Sequence, residues 1–177
     1  MPDPIEFDPV DLISIGALGR PGQRRFMIQA TKEGARLCVA LEKQQVALLA
    51  SEAEEFLDRV TVEDTEPESA LDPASDALCG HVVDAEPLFR VRLIGIGYDR
   101  DRHLVLLELR EDADEDDEGH PVEREAAEGH IARVYASRAQ IRSIIRHATT
   151  SVESGRPTCP LCELPMDPDG HFCPRLN

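Results

Sequence analysis

Twice along this chain a run of alternating apolar and polar residues gives way, within a few positions, to an apolar stripe of helical period. The first change follows ARLCVAL, residues 35–41, where Val46, Leu49, Ala50, Ala53, Leu57 and Val60 recur at spacings of three and four. The second follows HIARVYA, residues 130–136, where Ile141, Ile144, Ile145, Ala148 and Val152 form the stripe. The junctions superpose: Val39 to Val46 lies over Val134 to Ile141, in the same register that aligns the two stripes. Period two marks a strand with one buried face, and a period near 3.6 marks an amphipathic helix that must bury its stripe on a sheet.

Upstream of each junction the pattern supplies two more strands. In the first half these are DLISIGAL (11–18) and RRFMIQAT (24–31), parted by the turn Gly19-Arg20-Pro21-Gly22 and followed by the hairpin turn Lys32-Glu33-Gly34. In the second half LFRVRLIGIGY (88–98) and HLVLLELR (103–110) flank the turn Asp99 to Arg102. Ser137 and Gln140 have capping-box spacing at the start of the second helix, and Gly155 and Pro157 end it. The expected fold is α+β: two antiparallel three-stranded β-β-β-α units, 1–60 and 88–155, related as a pseudo-twofold duplication within one domain. Residues 61–87 follow neither period and are expected to form an acidic, Pro- and Ser-containing surface connection. The acid-dominated run 111–128 is expected to be a solvated loop.

The tail, 156–177, carries the chemistry. Cys159-Pro160-Leu161-Cys162 is a C-x-x-C knuckle, whose tight turn aims backbone N–H groups at the sulfurs; His171-Phe172-Cys173 follows across the turn Asp167-Pro168-Asp169-Gly170. Three thiolates and one imidazole make a closed tetrahedral set, which favours one structural zinc per chain over a catalytic metal with an open position. With few apolar residues to bury, such a tail draws much of its folding energy from the metal. His171 is the tightest fit of the four, with a water or a distant side chain as the alternative ligand. Four cysteines would be expected of a rubredoxin-type iron site, and a redox C-x-x-C would open a helix in a βα unit; neither pattern is present.

Charge narrows the remaining functions. Acids number 35 against 19 Lys and Arg, for a formal net charge of −16, which opposes general binding to phosphate backbones or anionic lipids. Aromatics are 4% and Trp is absent, so stacking on single-stranded nucleic acid is disfavoured as well. The scattered Cys38 and Cys79 are no disulfide framework, and the opening Met1-Pro2-Asp3-Pro4 has neither a basic region nor an apolar run, so a cytoplasmic protein with reduced thiols is expected.

Other motifs are weaker. Asp112, Asp114, Asp116 and Glu123 occupy calcium-loop positions, but Asp117 stands where the loop needs glycine. Gly95-Ile96-Gly97 lacks the third glycine of a dinucleotide fingerprint and reads as strand. Cys38 reads as a buried small hydrophobe. Cys79-Gly80-His81 would need positioning that an irregular connection does not give. Arg24, Arg25, Arg90, Arg92, Arg133 and Arg138 lie on or beside strands, with Arg90 and Arg92 expected on one strand face. They could contact an anion or an acidic partner, against the simpler expectation that they pair with the protein's own acids.

Together GALGRPGQRRFMIQA, ARLCVALEKQQVALLA, ARVYASRAQIRSIIRHA and RPTCPLCELPMDPDGHFCPR resemble DUF3090, an actinobacterial family of unknown function, over nearly the whole chain. The resemblance implies an actinobacterial cytoplasmic protein. It also implies a gene neighbourhood shared with a phosphoglycerate-mutase-like phosphatase and a protein resembling phosphoinositide kinases, hence a role beside phosphoryl chemistry. Two functions are therefore expected to compete. The first is a non-enzymatic interaction or regulatory module acting on another protein. The second is an enzyme or sensor binding a phosphorylated or carboxylated compound, which requires a concave pocket where arginines converge with one of His81, His103, His130 or His147.

Overall fold

The structure, a computed structural model, describes residues 3–64, 67–111, 129–155, 159–166 and 170–176. Eight strands and three helices follow in the order β1 (Ile5–Phe7), β2 (Leu12–Leu18), β3 (Arg25–Lys32), β4 (Ala35–Leu41), α1 (Lys43–Glu63), α2 (Pro73–Cys79), β5 (Phe89–Arg90), β6 (Leu93–Asp99), β7 (Leu104–Arg110), β8 (Ile131–Ser137) and α3 (Arg138–Glu153). They build two four-stranded sheets, ordered β2-β3-β4-β5 and β1-β8-β7-β6. The expected α+β class is present, and the two antiparallel meanders β2-β3-β4 and β6-β7-β8 are the expected strands.

Each sheet differs from expectation by one strand. The run 88–98 is not continuous. It breaks at Val91-Arg92 into β5 and β6, and β5 leaves its own half to pair in parallel with β4. At the other end β1 crosses to pair in parallel with β8. Each meander is thus completed by the segment that leads into the other. The registers correspond. Val39 lies between Ile28 and Phe89, and Val134 lies between Leu107 and Phe7. Ile15 extends the first row and Ile96 the second. Beyond the short strands, Val91 donates to Ala40 O and Val10 to Tyr135 O, both at 2.9 Å.

The long helices α1 and α3 each begin with a capping box, in which a side chain accepts from the third helical amide and that residue's side chain returns the bond. The expected box is Ser137–Gln140, and Glu42–Gln45 forms another. Each glutamine then reaches across to the other half. Gln140 Nε2 donates to Asp11 O at 3.2 Å, and Gln45 Nε2 donates to Val91 O at 3.0 Å and to Arg92 O at 3.3 Å. The predicted stripe of α1 is its buried face, residue for residue, and that of α3 is buried except for the partly exposed Val152. The helices pack along each other, α3 also lies on β2, and one core joins Ile13, Ile15 and Ile28 to Leu107, Val134 and Ile144.

The connection 61–87 is more ordered than its composition suggests. The first helix runs on to Glu63, and α2 occupies Pro73–Cys79. Asp72 caps α2 by accepting from Ala74 N and Ser75 N, and Pro73 sits at the first helical position, where its missing N–H costs nothing. The Asp-Pro pair was the readable signal. The connection is tied to α3 by Asp76, which accepts from Ser143 Oγ at 2.5 Å and pairs with Arg146. Ser143 and Arg146 hold the Asp76 carboxyl below its usual range. The calcium-loop positions Asp112, Asp114, Asp116 and Glu123 lie outside the described residues, as does most of 111–128.

Candidate metal centre

The local sequence sets the ligands of the tail in two places. In the first, Glu163 N donates to Cys159 O at 2.9 Å and Cys159 N donates to Leu164 O at 2.8 Å, with Glu163 in the left-handed region at φ 62°. This closes the knuckle around Cys159 and Cys162. Farther on, Gly170 at φ 95° takes a conformation that glycine adopts without steric cost, just ahead of His171 and Cys173. Asp167, Pro168 and Asp169 of the intervening turn lie outside the described residues.

The result is a cluster of four donor atoms. One ligand atom from each of Cys159, Cys162, His171 and Cys173 lies within 4.8 Å of the others. Cys159 Sγ is 3.9 Å from Cys173 Sγ, and Cys162 Sγ is 3.2 Å from His171 Nε2. Cys159 and Cys173 are buried, and all the cysteines are free thiols. Backbone N–H groups of Cys162 and Leu161 face the Cys159 sulfur and hold its thiol below the usual range, while burial pushes the Cys162 thiol up. Four sulfur and nitrogen donors at these separations, none bonded to another, could hold a metal ion.

The six arginines are not brought together. Arg24 donates to Ser151 O and Ser154 Oγ at the end of α3, Arg25 pairs with Asp84, and Arg90 pairs with Glu42. Arg133 pairs with Glu108 and Glu6, while Arg138, 5% exposed, stands 3.9 Å from Asp64 at the opposite end of α3 from Arg24. Arg92 is exposed in the link between β5 and β6, so it shares no strand face with Arg90. Pairing with the protein's own acids accounts for most of the set, and no shared anion site forms from it.

Cys38 is buried beside Met27 and Val82, as expected of a small hydrophobe. Cys79 is also buried, at the end of α2, while His81 is exposed. The histidine that closes on this segment is instead His147, whose ring fits over Gly80 so tightly that an added Cβ would stand 2.3 Å from Nδ1. Burial pushes the Cys79 thiol up, away from nucleophilic character. Gly95 and Gly97 lie within β6, as read. Among the described residues, no helix is long and apolar enough to cross a membrane.

No curated protein and no solved structure matches the chain. The family described as a protein of unknown function, DUF3090, matches residues 5–173, which takes in both meanders and all four residues of the cluster, and the chain belongs to that family.

Proposed function

We propose that the cluster is a structural zinc centre, one ion per chain, and that the protein is a non-enzymatic interaction or regulatory module. The observation that carries this is the closed Cys₃His set. On a tetrahedral zinc with Zn–S bonds near 2.3 Å, sulfurs stand about 3.8 Å apart, and sulfur and imidazole nitrogen about 3.6 Å apart. The separations of 3.9 and 3.2 Å lie close to those values. Four protein ligands leave no position for water or substrate, so the ion folds the tail rather than catalyses. Folded around it, the tail holds Leu161, Leu164, Phe172 and Leu176 exposed, Phe172 at 81% and Leu176 at 72%. Exposed apolar side chains on a rigid scaffold suit a protein partner, and the phosphatase-like and kinase-like neighbours of the family are the partners we propose.

Metal analysis of untagged protein purified without chelator tests the first step. About one zinc per chain is expected, and none in a variant carrying Cys159→Ser and Cys162→Ser. A metal-free wild-type protein would sink the reading. For the second step, Phe172→Ala with Leu176→Ala should abolish co-elution with the phosphatase-like protein while leaving the zinc in place. Unchanged co-elution would remove the tail as the contact.

We also propose that the two halves descend from one duplicated β-β-β-α unit with a leading strand exchanged between copies. The matched registers, the paired capping boxes and the reciprocal glutamine bonds support it. Its energetic signature would be equal costs for Gln45→Ala and Gln140→Ala.

A further inference from the structure

Away from the tail, the C-terminal end of α1 and the end of β6 with its following turn meet at a cavity of about 390 Å³ lined by Phe56, Arg59, Val60, Glu63, Asp64, Tyr98 and Arg100. That is within the size range of small-molecule sites. Its inner wall is built on one carboxylate oxygen. Asp64 Oδ2 accepts from Tyr98 Oη, lies 2.8 Å from His103 Nδ1 and stands 3.9 Å from the buried Arg138 guanidinium. The Asp64 side chain is only 13% exposed. Tyr98, His103 and Arg138 all face this carboxylate. The contact with Asp64 occupies His103 Nδ1 and leaves Nε2 as the ring's second polar atom. His103 takes a left-handed backbone (φ 54°), which places its ring on Asp64.

The rim has a different character. Arg100 pairs with Glu63, while the exposed Arg59 has no ion pair among the described residues. Two guanidinium groups (Arg59, Arg100) and two carboxylates (Glu63, Asp64) stand in the lining, with the buried Arg138 behind Asp64. In a chain of net charge −16 this lining is balanced rather than acidic, two arginines against two carboxylates. Phe56, Val60 and Tyr98 supply apolar wall beside it. A guanidinium at the mouth of a partly aromatic cavity is suited to an anion carried on an apolar body.

We propose that this cavity is a binding site for a small organic anion, an apolar or aromatic ring bearing one phosphate or carboxylate. The anionic group sits on Arg59 and Arg100 and the ring lies against Phe56 and Tyr98. The site is independent of the metal centre and adds a ligand to the proposed interaction module. Arg59 and Arg100 line the cavity, while Arg138 and His103, which the sequence singled out, are linked to it through Asp64.

The test is amide NMR titration of the full metal-loaded chain with phenyl phosphate, benzoate and inorganic phosphate. Phenyl phosphate or benzoate should give saturable shifts at residues 56–64 and 98–103, and the stronger of the two identifies the anion. Arg59→Gln, an exposed change that leaves the core untouched, should weaken that binding about tenfold or more, the loss of one charge-assisted contact. Arg36→Gln, on the far sheet, should leave it unchanged. Inorganic phosphate should bind more weakly than phenyl phosphate, and equal affinity would overturn the role of the ring wall. Absence of saturable shifts with either ring compound up to ~10 mM, weaker than any useful small-molecule site, overturns the proposal. So does an Arg59→Gln protein that binds as tightly as wild type.

Discussion

In the body, Ile13, Ile15, Ile28, Leu57, Leu107 and Ile141 have no exposed surface, whereas in the tail Leu161, Leu164, Phe172 and Leu176 are exposed and the buried side chains include Cys159 and Cys173. The body is ordered by removing apolar surface from water, worth about 25 cal/mol per Å². The tail buries too little for that term to offset the entropy of ordering its turns. It brings four metal-ligating atoms together instead. The body and the tail therefore meet the same entropic cost by different means, and each should be separately breakable.

The largest effect belongs to the tail. Structural zinc in comparable small modules contributes about 10–16 kcal/mol of apparent binding energy. Removing the ion with a chelator should abolish hydrogen-exchange protection at Cys159 and Glu163, whose amides close the knuckle. The body transition should shift by less than about 1 kcal/mol, as for changes outside a core. Simultaneous melting of body and tail would show that the two are one cooperative unit.

The converse change is Leu57→Ala, at a fully buried position on α1. It should cost the body about 2–5 kcal/mol by denaturant unfolding and leave metal stoichiometry unaltered. A loss of metal in this variant would contradict the separation.

Within the body, Gln45→Ala and Gln140→Ala each remove half a capping box and a bond to the other half of the fold. Each should cost about 1 kcal/mol. Costs that differ by several-fold would argue that the halves, though similar in register, are not energetically equivalent.

The smallest effect at neutral pH concerns Tyr98. Burial, with the Asp64 bond second, pushes its phenol up to about 12 from 10. A folded value above the unfolded one means that this contribution is complete below pH 10 and lost as the pH rises from 10 toward 12. The chain has two tyrosines and no tryptophan, so ultraviolet titration of a Tyr135→Phe protein reads Tyr98 alone. The midpoint should lie near 12 and stay there after chelation. A midpoint near 10 would mean that Tyr98 is neither buried nor held by Asp64 as described.

The elements that could be read from the sequence were those whose signal is repeated. Six residues along α1 report one buried face, so no single substitution hides it; the same holds for the alternation in β3, β7 and β8. The candidate metal ligands were legible because C-x-x-C and H-x-C place their donors within a few residues of each other, where turn geometry alone brings them close. The short strands β1 and β5 were not legible. With three and two residues they are too brief to show a period, and β5 was absorbed into the run that continues as β6. The order in 61–87 was hidden for another reason: its residues are held mainly by partners far along the chain, Asp76 by Ser143 and Arg146, Gly80 by His147.

What the amino-acid sequence determined by itself was therefore local: which segments are strand or helix, which face of each helix is buried, and where thiols and imidazole gather. Tertiary structure decided which strands pair across the two sheets, that the strand-borne arginines scatter to separate partners, and that Arg59, Asp64, Tyr98 and Arg100 line one cavity. Periodicity and turn chemistry act between neighbours, so they are written in the order of residues. Parallel pairing of β1 with β8, or the meeting of α1, β6 and α3, depends on how buried faces stack in three dimensions, and no spacing along the chain encodes it.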